Sequence, residues 1–230
     1  MIIFNLILFT IIAILWLVGL LIITGLIRLF GFGWRTKPEN VISDISILRK
    51  GDIILTGKLS PKDSWYIQLS NVLTRKLKHR FWTHAAIYRG NGMLWEAQTE
   101  GIIEKDINEY LKSGHMIRAF RHKYIKDEAI IDKVLKFCED QKGYKYGWFG
   151  ICFYAVSTFV PLSLNFIFDN DIFDKWCHLE KAYFCSELIV DAFGEIGYPI
   201  SPYDGWRVKP TDFISNPLLQ KIGTNAKSPL

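Results

Sequence analysis

The stretch that decides the fold runs from Tyr183 to Phe193 and reads Tyr-Phe-Cys-Ser-Glu-Leu-Ile-Val-Asp-Ala-Phe. Apolar residues such as Leu188 and Ala192 recur there at helical spacing, which predicts an α-helix that begins near Cys185. The unpaired N–H groups and the helix dipole at such a position favour the thiolate, which is the nucleophilic form of cysteine. Cys185 is therefore a candidate nucleophile, although a lone cysteine is more often a small core residue.

The second informative stretch is Phe81 to Tyr88, an aromatic and β-branched run that carries one histidine, His84. This composition predicts a strand, and a strand holds each side chain in a fixed direction. A rigid imidazole that faces a cysteine at a helix start would form an acyl-transfer centre. A lone strand histidine is usually structural, so the prediction requires His84 and Cys185 to meet.

A predicted hairpin adds a third candidate, Glu96. The turn signal Gly90–Gly92 is followed by a strand pattern at Met93–Gln98. A three-residue loop would place Glu96 on the face of His84, one diagonal step away and within reach of a long side chain. A two-residue loop would put Glu96 on the opposite face. The hairpin register therefore decides whether Glu96 joins the site.

Composition limits the classes of protein to consider. The chain has 230 residues, of which 50% are hydrophobic, enough for one domain with a sizeable core. A net charge of +5 suits anionic lipid headgroups and is too small to indicate nucleic acid. The cysteines form neither a disulfide framework nor a CxxC motif, and the adjacent Cys177 and His178 lack further ligands, so no metal or cofactor is predicted. The four cysteines are Cys138, Cys152, Cys177 and Cys185.

The N-terminal run Ile2–Ile27 has no charged side chain and is long enough, as a helix, to cross a bilayer. We predict a transmembrane helix; a cleaved signal peptide lacks its basic start here, and a buried core helix of this length normally keeps a polar face. Arg28, Arg35 and Lys37 follow the run. By the positive-inside rule, they favour a single-pass membrane protein whose domain lies on the cytoplasmic side.

The remaining patterns divide the chain into residues 1–30 as the anchor, 31–50 as a linker, 51–215 as the catalytic domain and 216–230 as a loose tail. Strands are expected near 51–56, 101–104 and 115–121, and helices at 64–80 and 127–140. Cys138 falls on the apolar side of the second of these helices.

A second uncharged run, Gly147–Phe168, is long enough to be another span. A single crossing there would separate His84 from Cys185, and Pro161 interrupts the run. We therefore expect a buried helix followed by an apolar loop, with insertion as a membrane hairpin as the alternative.

Taken together, these motifs resemble the permuted papain-like amidases of the YaeF/YiiX type. Those proteins are circularly permuted relatives of the NlpC-type cell-wall peptidases and of lecithin retinol acyltransferase. The motifs lie within residues 51–213, in the order that the family shows. They are Gly51–Leu55, Trp82–Tyr88, Gly90–Gly92 with Glu96-Ala97, Gly143–Gly147 and Tyr183–Leu188.

The resemblance implies an α+β fold of the circularly permuted papain-like kind, with an antiparallel sheet packed on helices. It also implies roles for three residues: Cys185 as the nucleophile, His84 as the general base and Glu96 as the group that orients the imidazole. The implied function is that of a membrane-anchored cysteine hydrolase that cleaves an amide or related acyl bond through a thioester.

Two substrate classes stay open on the sequence alone. The amidase resemblance favours peptide or peptidoglycan amides, whereas the anchor and the basic run Arg75–Arg80 favour lipid esters or amides. A third reading is a non-catalytic, membrane-anchored binding module that keeps the papain-like shape. No nucleic-acid partner is expected, and the sequence does not indicate an oligomeric state.

Overall fold

The structure is a computed structural model that describes residues 41–58, 79, 81–147 and 182–223, and a few helical residues between 10 and 19. The chain divides into two compact units, Met1–Lys37 and Pro38–Leu230. The predicted anchor, the predicted helix at 64–80 and the run 147–168 fall wholly or mostly outside the described residues. None of the helices in the described ranges has both the length and the apolar character needed to cross a bilayer.

The described part of the second unit is α+β. Its strands are β1 (Ile53–Gly57), β2 (Trp82–Gly90), β3 (Met93–Gln98), β4 (Gly101–Asp106), β5 (Met116–His122), β6 (Lys145–Tyr146), β7 (Ala182–Tyr183) and β8 (Leu219–Ile222). Its α-helices are α1 (Ile107–Lys112), α2 (Glu128–Asp140) and α3 (Cys185–Glu195). Short 3-10 helices cover Ile45–Ile47, Gly205–Arg207 and Pro210–Ser215.

The main sheet has the strand order β4-β3-β2-β1-β5-β8, and every neighbouring pair in it is antiparallel. A separate parallel pair joins β6 to β7, immediately before α3. The sheet therefore places β2, the strand of His84, directly beside β3, the strand of Glu96.

Apolar side chains cover both faces of the sheet. On β1, Ile53 and Leu55 belong to one buried cluster, whereas Ile54 belongs to another. The first cluster includes residues of α2 and α3, such as Leu188, and the second includes residues of α1, such as Ile107. Because successive strand residues point to opposite faces, a strand covered on both sides reads as a continuous apolar run.

Local capping fixes where the helices begin. The carboxylate of Asp127 accepts a hydrogen bond from the N–H of Ala129, 2.9 Å away, so α2 begins at Glu128. This confirms the helix predicted at 127–140, and Cys138 is buried in the core as expected. Asp106 caps α1 in the same way through the N–H of Asn108, at 2.8 Å.

The predicted linker and tail both contain ordered parts of the fold. Ile42 is buried and its N–H donates to the carbonyl of Ile117 on β5, at 2.7 Å. Leu219–Ile222, which the sequence assigned to a loose tail, is the edge strand β8 and pairs with β5. Among the described residues of these two segments, only a few side chains reach the core, so neither segment shows a long periodic pattern.

A buried ion pair ties the start of β1 to β5. The carboxylate of Asp52 is fully buried and accepts two hydrogen bonds of 2.7 Å from Arg121 and one of 2.8 Å from the N–H of Arg49. We expect Asp52→Asn to lower the free energy of unfolding by about 2–3 kcal/mol, because an amide leaves the guanidinium without its two-oxygen partner. Urea unfolding of the intact protein measures this loss.

The matched control removes a carboxylate from a more exposed ion pair. Glu104 lies 2.9 Å from Arg89, and these side chains are 27% and 45% exposed. Glu104→Gln should change the free energy of unfolding by less than about 0.5 kcal/mol, because water solvates both partners. Equal losses in the two variants would contradict the assignment of Asp52 as a structural anchor.

Candidate active site

Cys185 is the first residue of α3, and its side chain is buried. Phe184 precedes it in an extended conformation, and the N–H of Phe184 donates to the carboxylate of Glu187, at 3.2 Å. This contact satisfies the backbone donor of Phe184, whereas the first N–H groups of any α-helix lack partners within the helix. A helix start of this kind stabilises negative charge.

The β2–β3 hairpin has a register that the loop length alone did not predict. Asn91 and Gly92 form a two-residue loop, and both have positive φ angles, of 53° and 79°. An irregularity between Tyr88 and Gly90 inserts one extra residue on β2, so that Ile87 pairs with Trp95. The expectation that a two-residue loop would turn Glu96 away from His84 is therefore wrong, because the bulge restores the register of a three-residue loop.

His84 and Glu96 are in direct contact. The Nε2 atom of His84 lies 2.9 Å from Oε2 of Glu96, and the Glu96 side chain is fully buried, whereas that of His84 is 18% exposed. Because Nε2 donates to the carboxylate, Nδ1 is the ring nitrogen left for another partner. Cys185 also acts on the His84 ring, since it is among the groups that raise the pKa of that ring.

These contacts shift the pKa of His84 strongly. Burial lowers the pKa of this ring, but the charges of Cys185 and Glu96 and the hydrogen bonds to both raise it to about 10. Burial raises the pKa of Glu96, yet His84 and the hydrogen bond from Tyr110 outweigh burial and leave it below its ordinary value. The pair is therefore an imidazolium beside a carboxylate at neutral pH.

Glu96 has three further neighbours. The hydroxyl of Tyr110, on α1, donates to Oε2 of Glu96 at 2.7 Å. The amide of Gln98 donates to Oε1 of Glu96 and also to the Tyr110 oxygen, the latter at 2.8 Å. The ammonium of Lys105 lies 3.9 Å from Oε1 and 4.8 Å from the centre of the Tyr110 ring.

Sequence reasoning missed Tyr110, Gln98 and Lys105 as parts of this site. Tyr110 lies on a helix of only six residues, which is too short to show helical periodicity. The one local signal was the capping residue Asp106 before that helix.

Cys185 is also surrounded by aromatic side chains. It forms a small buried cluster with Phe184 and Trp206, and Tyr146 packs against that cluster. Two residues along the helix, burial raises the pKa of Glu187 to about 8, while its hydrogen bond from the Phe184 N–H opposes the rise and the charge of Asp191 adds to it. Aromatic side chains therefore pack on one side of Cys185.

Within the described ranges, no three His, Cys, Asp or Glu side chains come together as a metal site requires. On an antiparallel α+β fold, the described residues form a histidine–carboxylate pair, and Cys185 lies at the start of α3. Comparison with family models and with curated proteins finds no match.

Among solved structures, the chain is similar to the crystal structure of the metalloprotein yiiX from Escherichia coli O157:H7, which is a YaeF/YiiX-type protein. The TM-score is 0.49 and the sequence identity is 14%. The match covers 76% of this chain and 97% of that one.

Proposed function

We propose that this chain is a cysteine hydrolase with a circularly permuted papain-like fold. It cleaves an amide bond of peptide or peptidoglycan type, or a related acyl bond, with Cys185, His84 and Glu96 as its catalytic groups. The observation that supports the proposal is the 2.9 Å contact of the His84 imidazole with the Glu96 carboxylate, in a ring whose pKa Cys185 also raises. Covalent acyl transfer requires a nucleophile, a base that activates it and a third group that orients the base.

In the proposed reaction, the thiolate of Cys185 attacks the substrate carbonyl and forms a tetrahedral oxyanion. The N–H of Cys185, at the helix start, is one donor for that oxygen. His84 then gives its proton to the leaving amine, and the thioester forms as the C–N bond breaks. Water then attacks the thioester as His84 accepts its proton, and the C–S bond breaks to release the acid and the Cys185 thiolate. Glu96 stabilises the imidazolium whenever His84 carries its proton.

A membrane anchor is part of the same proposal. It is supported by the sequence of Ile2–Ile27, which carries no charge over a length sufficient for one span. The basic residues Arg28, Arg35 and Lys37 support a cytoplasmic position for the domain.

The reactivity of the thiol tests the proposal directly. With the intact protein at neutral pH, iodoacetamide should alkylate Cys185 at least about tenfold faster than it alkylates a free peptide thiol. Cys138 should stay unmodified, because it is fully buried and burial raises its pKa to about 12. Peptide mapping of the labelled protein measures both sites.

The matched variants are Cys185→Ala and Cys138→Ala. The first should abolish the fast labelling and the second should leave it unchanged. Alkylation of Cys185 no faster than that of a free thiol would overturn the proposed function.

A further inference from the structure

Glu96 is an ionised carboxylate whose side chain is fully buried, and four described side chains lie close to its two oxygens. Its Oε2 atom accepts from His84 and Tyr110, and its Oε1 atom accepts from Gln98 and lies near Lys105. A buried charge persists only when its lone pairs are satisfied in this way. The side chains around Glu96 therefore determine the orientation of its carboxylate.

The direction of the Tyr110 proton follows from its two contacts. The Nε2 group of Gln98 can only donate, so at 2.8 Å the Tyr110 oxygen must accept from it. The single hydroxyl proton of Tyr110 is then left for Glu96, 2.7 Å away. The Tyr110 hydroxyl therefore accepts a hydrogen bond from Gln98 and donates one to Glu96, which fixes the direction of the second bond.

Tyr110 and His84 share one carboxylate oxygen. Oε2 of Glu96 lies 2.7 Å from the Tyr110 hydroxyl and 2.9 Å from Nε2 of His84. A second donor on the same oxygen limits rotation of the carboxylate, and so limits where its remaining lone pair faces. Burial and the charge of Glu96 also raise the pKa of Tyr110, so the hydroxyl keeps its proton.

We propose that Tyr110 is a positioning residue for the His84–Glu96 pair. Tyr110 acts through Glu96 and does not touch the substrate. The predicted effect of Tyr110 on the reactivity of Cys185 rests on the proposed function. The effect on the geometry of the pair can be measured without any reaction.

Tyr110→Phe keeps the aromatic ring and removes only the hydroxyl. We expect alkylation of Cys185 by iodoacetamide at neutral pH to become about tenfold slower, because one charge-assisted hydrogen bond to Glu96 is lost. Tyr88→Phe is the matched control. Tyr88 belongs to the same buried cluster as Tyr110, but its hydroxyl accepts from the N–H of Gly92 at 2.9 Å. That variant should keep the rate within about twofold.

A double-mutant cycle separates positioning from a purely structural effect. If Tyr110 acts through the carboxylate, adding Tyr110→Phe to Glu96→Gln should slow alkylation by about twofold or less. A full tenfold loss in both backgrounds would mean that the two residues act independently, and it would overturn the proposal.

The resting state of His84 gives a readout that does not depend on catalysis. In ¹⁵N-labelled protein, the Nε2 resonance of His84 should shift in Tyr110→Phe, and its proton should exchange faster with water. An unchanged resonance overturns the positioning role, whether or not Cys185 is reactive. Slow alkylation of wild-type Cys185 together with a shifted resonance would overturn only the proposed function.

Discussion

His84→Ala is expected to slow the alkylation of Cys185 by iodoacetamide at neutral pH by about a hundredfold. The imidazolium is the positive charge that interacts with the sulfur, and the raised pKa of His84, about 10, keeps it protonated at neutral pH. Without this charge, the start of α3 remains near the sulfur, and the effect of a helix start is smaller than that of a full positive charge. The second-order rate constant, measured by mass spectrometry of the intact protein, gives the change.

The control is His122→Ala, which removes another buried histidine from the same sheet. The Nδ1 atom of His122 accepts from the N–H of Ile125 at 3.2 Å, and the ring stacks on Phe193 with a centroid distance of 5.9 Å. Burial lowers the pKa of His122, with Lys126 adding to the effect, so its ring is neutral. This variant should lose stability and keep the alkylation rate within about twofold. Similar slowing in both variants would contradict a special role for His84.

The elements that the sequence predicted well are those with local causes. The helix at Cys185 and the one after Asp127 have long apolar stripes, and Asp127 supplies its own cap. The strand of His84 is rich in aromatic and β-branched residues. These signals lie within a few residues of the element that they specify, so one segment is enough to read them.

The features that sequence reasoning did not predict depend on contacts between distant segments. Strand β8 is specified by its pairing with β5, and within its four residues only Leu219 is fully buried. The bulge before Gly90 changes the register by one residue, although the turn sequence alone permits either register. Tyr110 reaches Glu96 because α1 packs on the sheet. In each case, tertiary packing decides among locally equivalent alternatives.

The pKa of His84 should depend more strongly on Cys185 than on Glu96. Burial alone would hold this pKa below the ordinary value of 6.5, and the charge of Cys185 is the largest influence that raises it, followed by that of Glu96. We therefore expect Cys185→Ala to lower the His84 pKa from about 10 toward its ordinary value of 6.5. Glu96→Gln should lower it by less. Titration of the ¹⁵N ring resonances measures each value.

The same shift predicts how stability changes with pH. The His84 pKa is raised on folding, from an unfolded value of 6.5 to about 10, so its contribution is complete below pH 6.5. That contribution is lost as the pH rises through 10, because the folded imidazolium then loses its proton. The free energy of unfolding should therefore fall more steeply between pH 7 and pH 10 in the wild type than in Cys185→Ala.

The two measurements must agree, since a pKa shift and its stability contribution are the same free energy. An unchanged His84 pKa in Cys185→Ala would mean that the ring and the sulfur do not interact, and the pH dependence of unfolding would then also be unchanged. A lowered pKa with a flatter stability profile would establish the charge pair independently of any substrate. It would also favour an enzyme over a binding module with an ordinary histidine, because strongly perturbed pKa values cluster at functional sites.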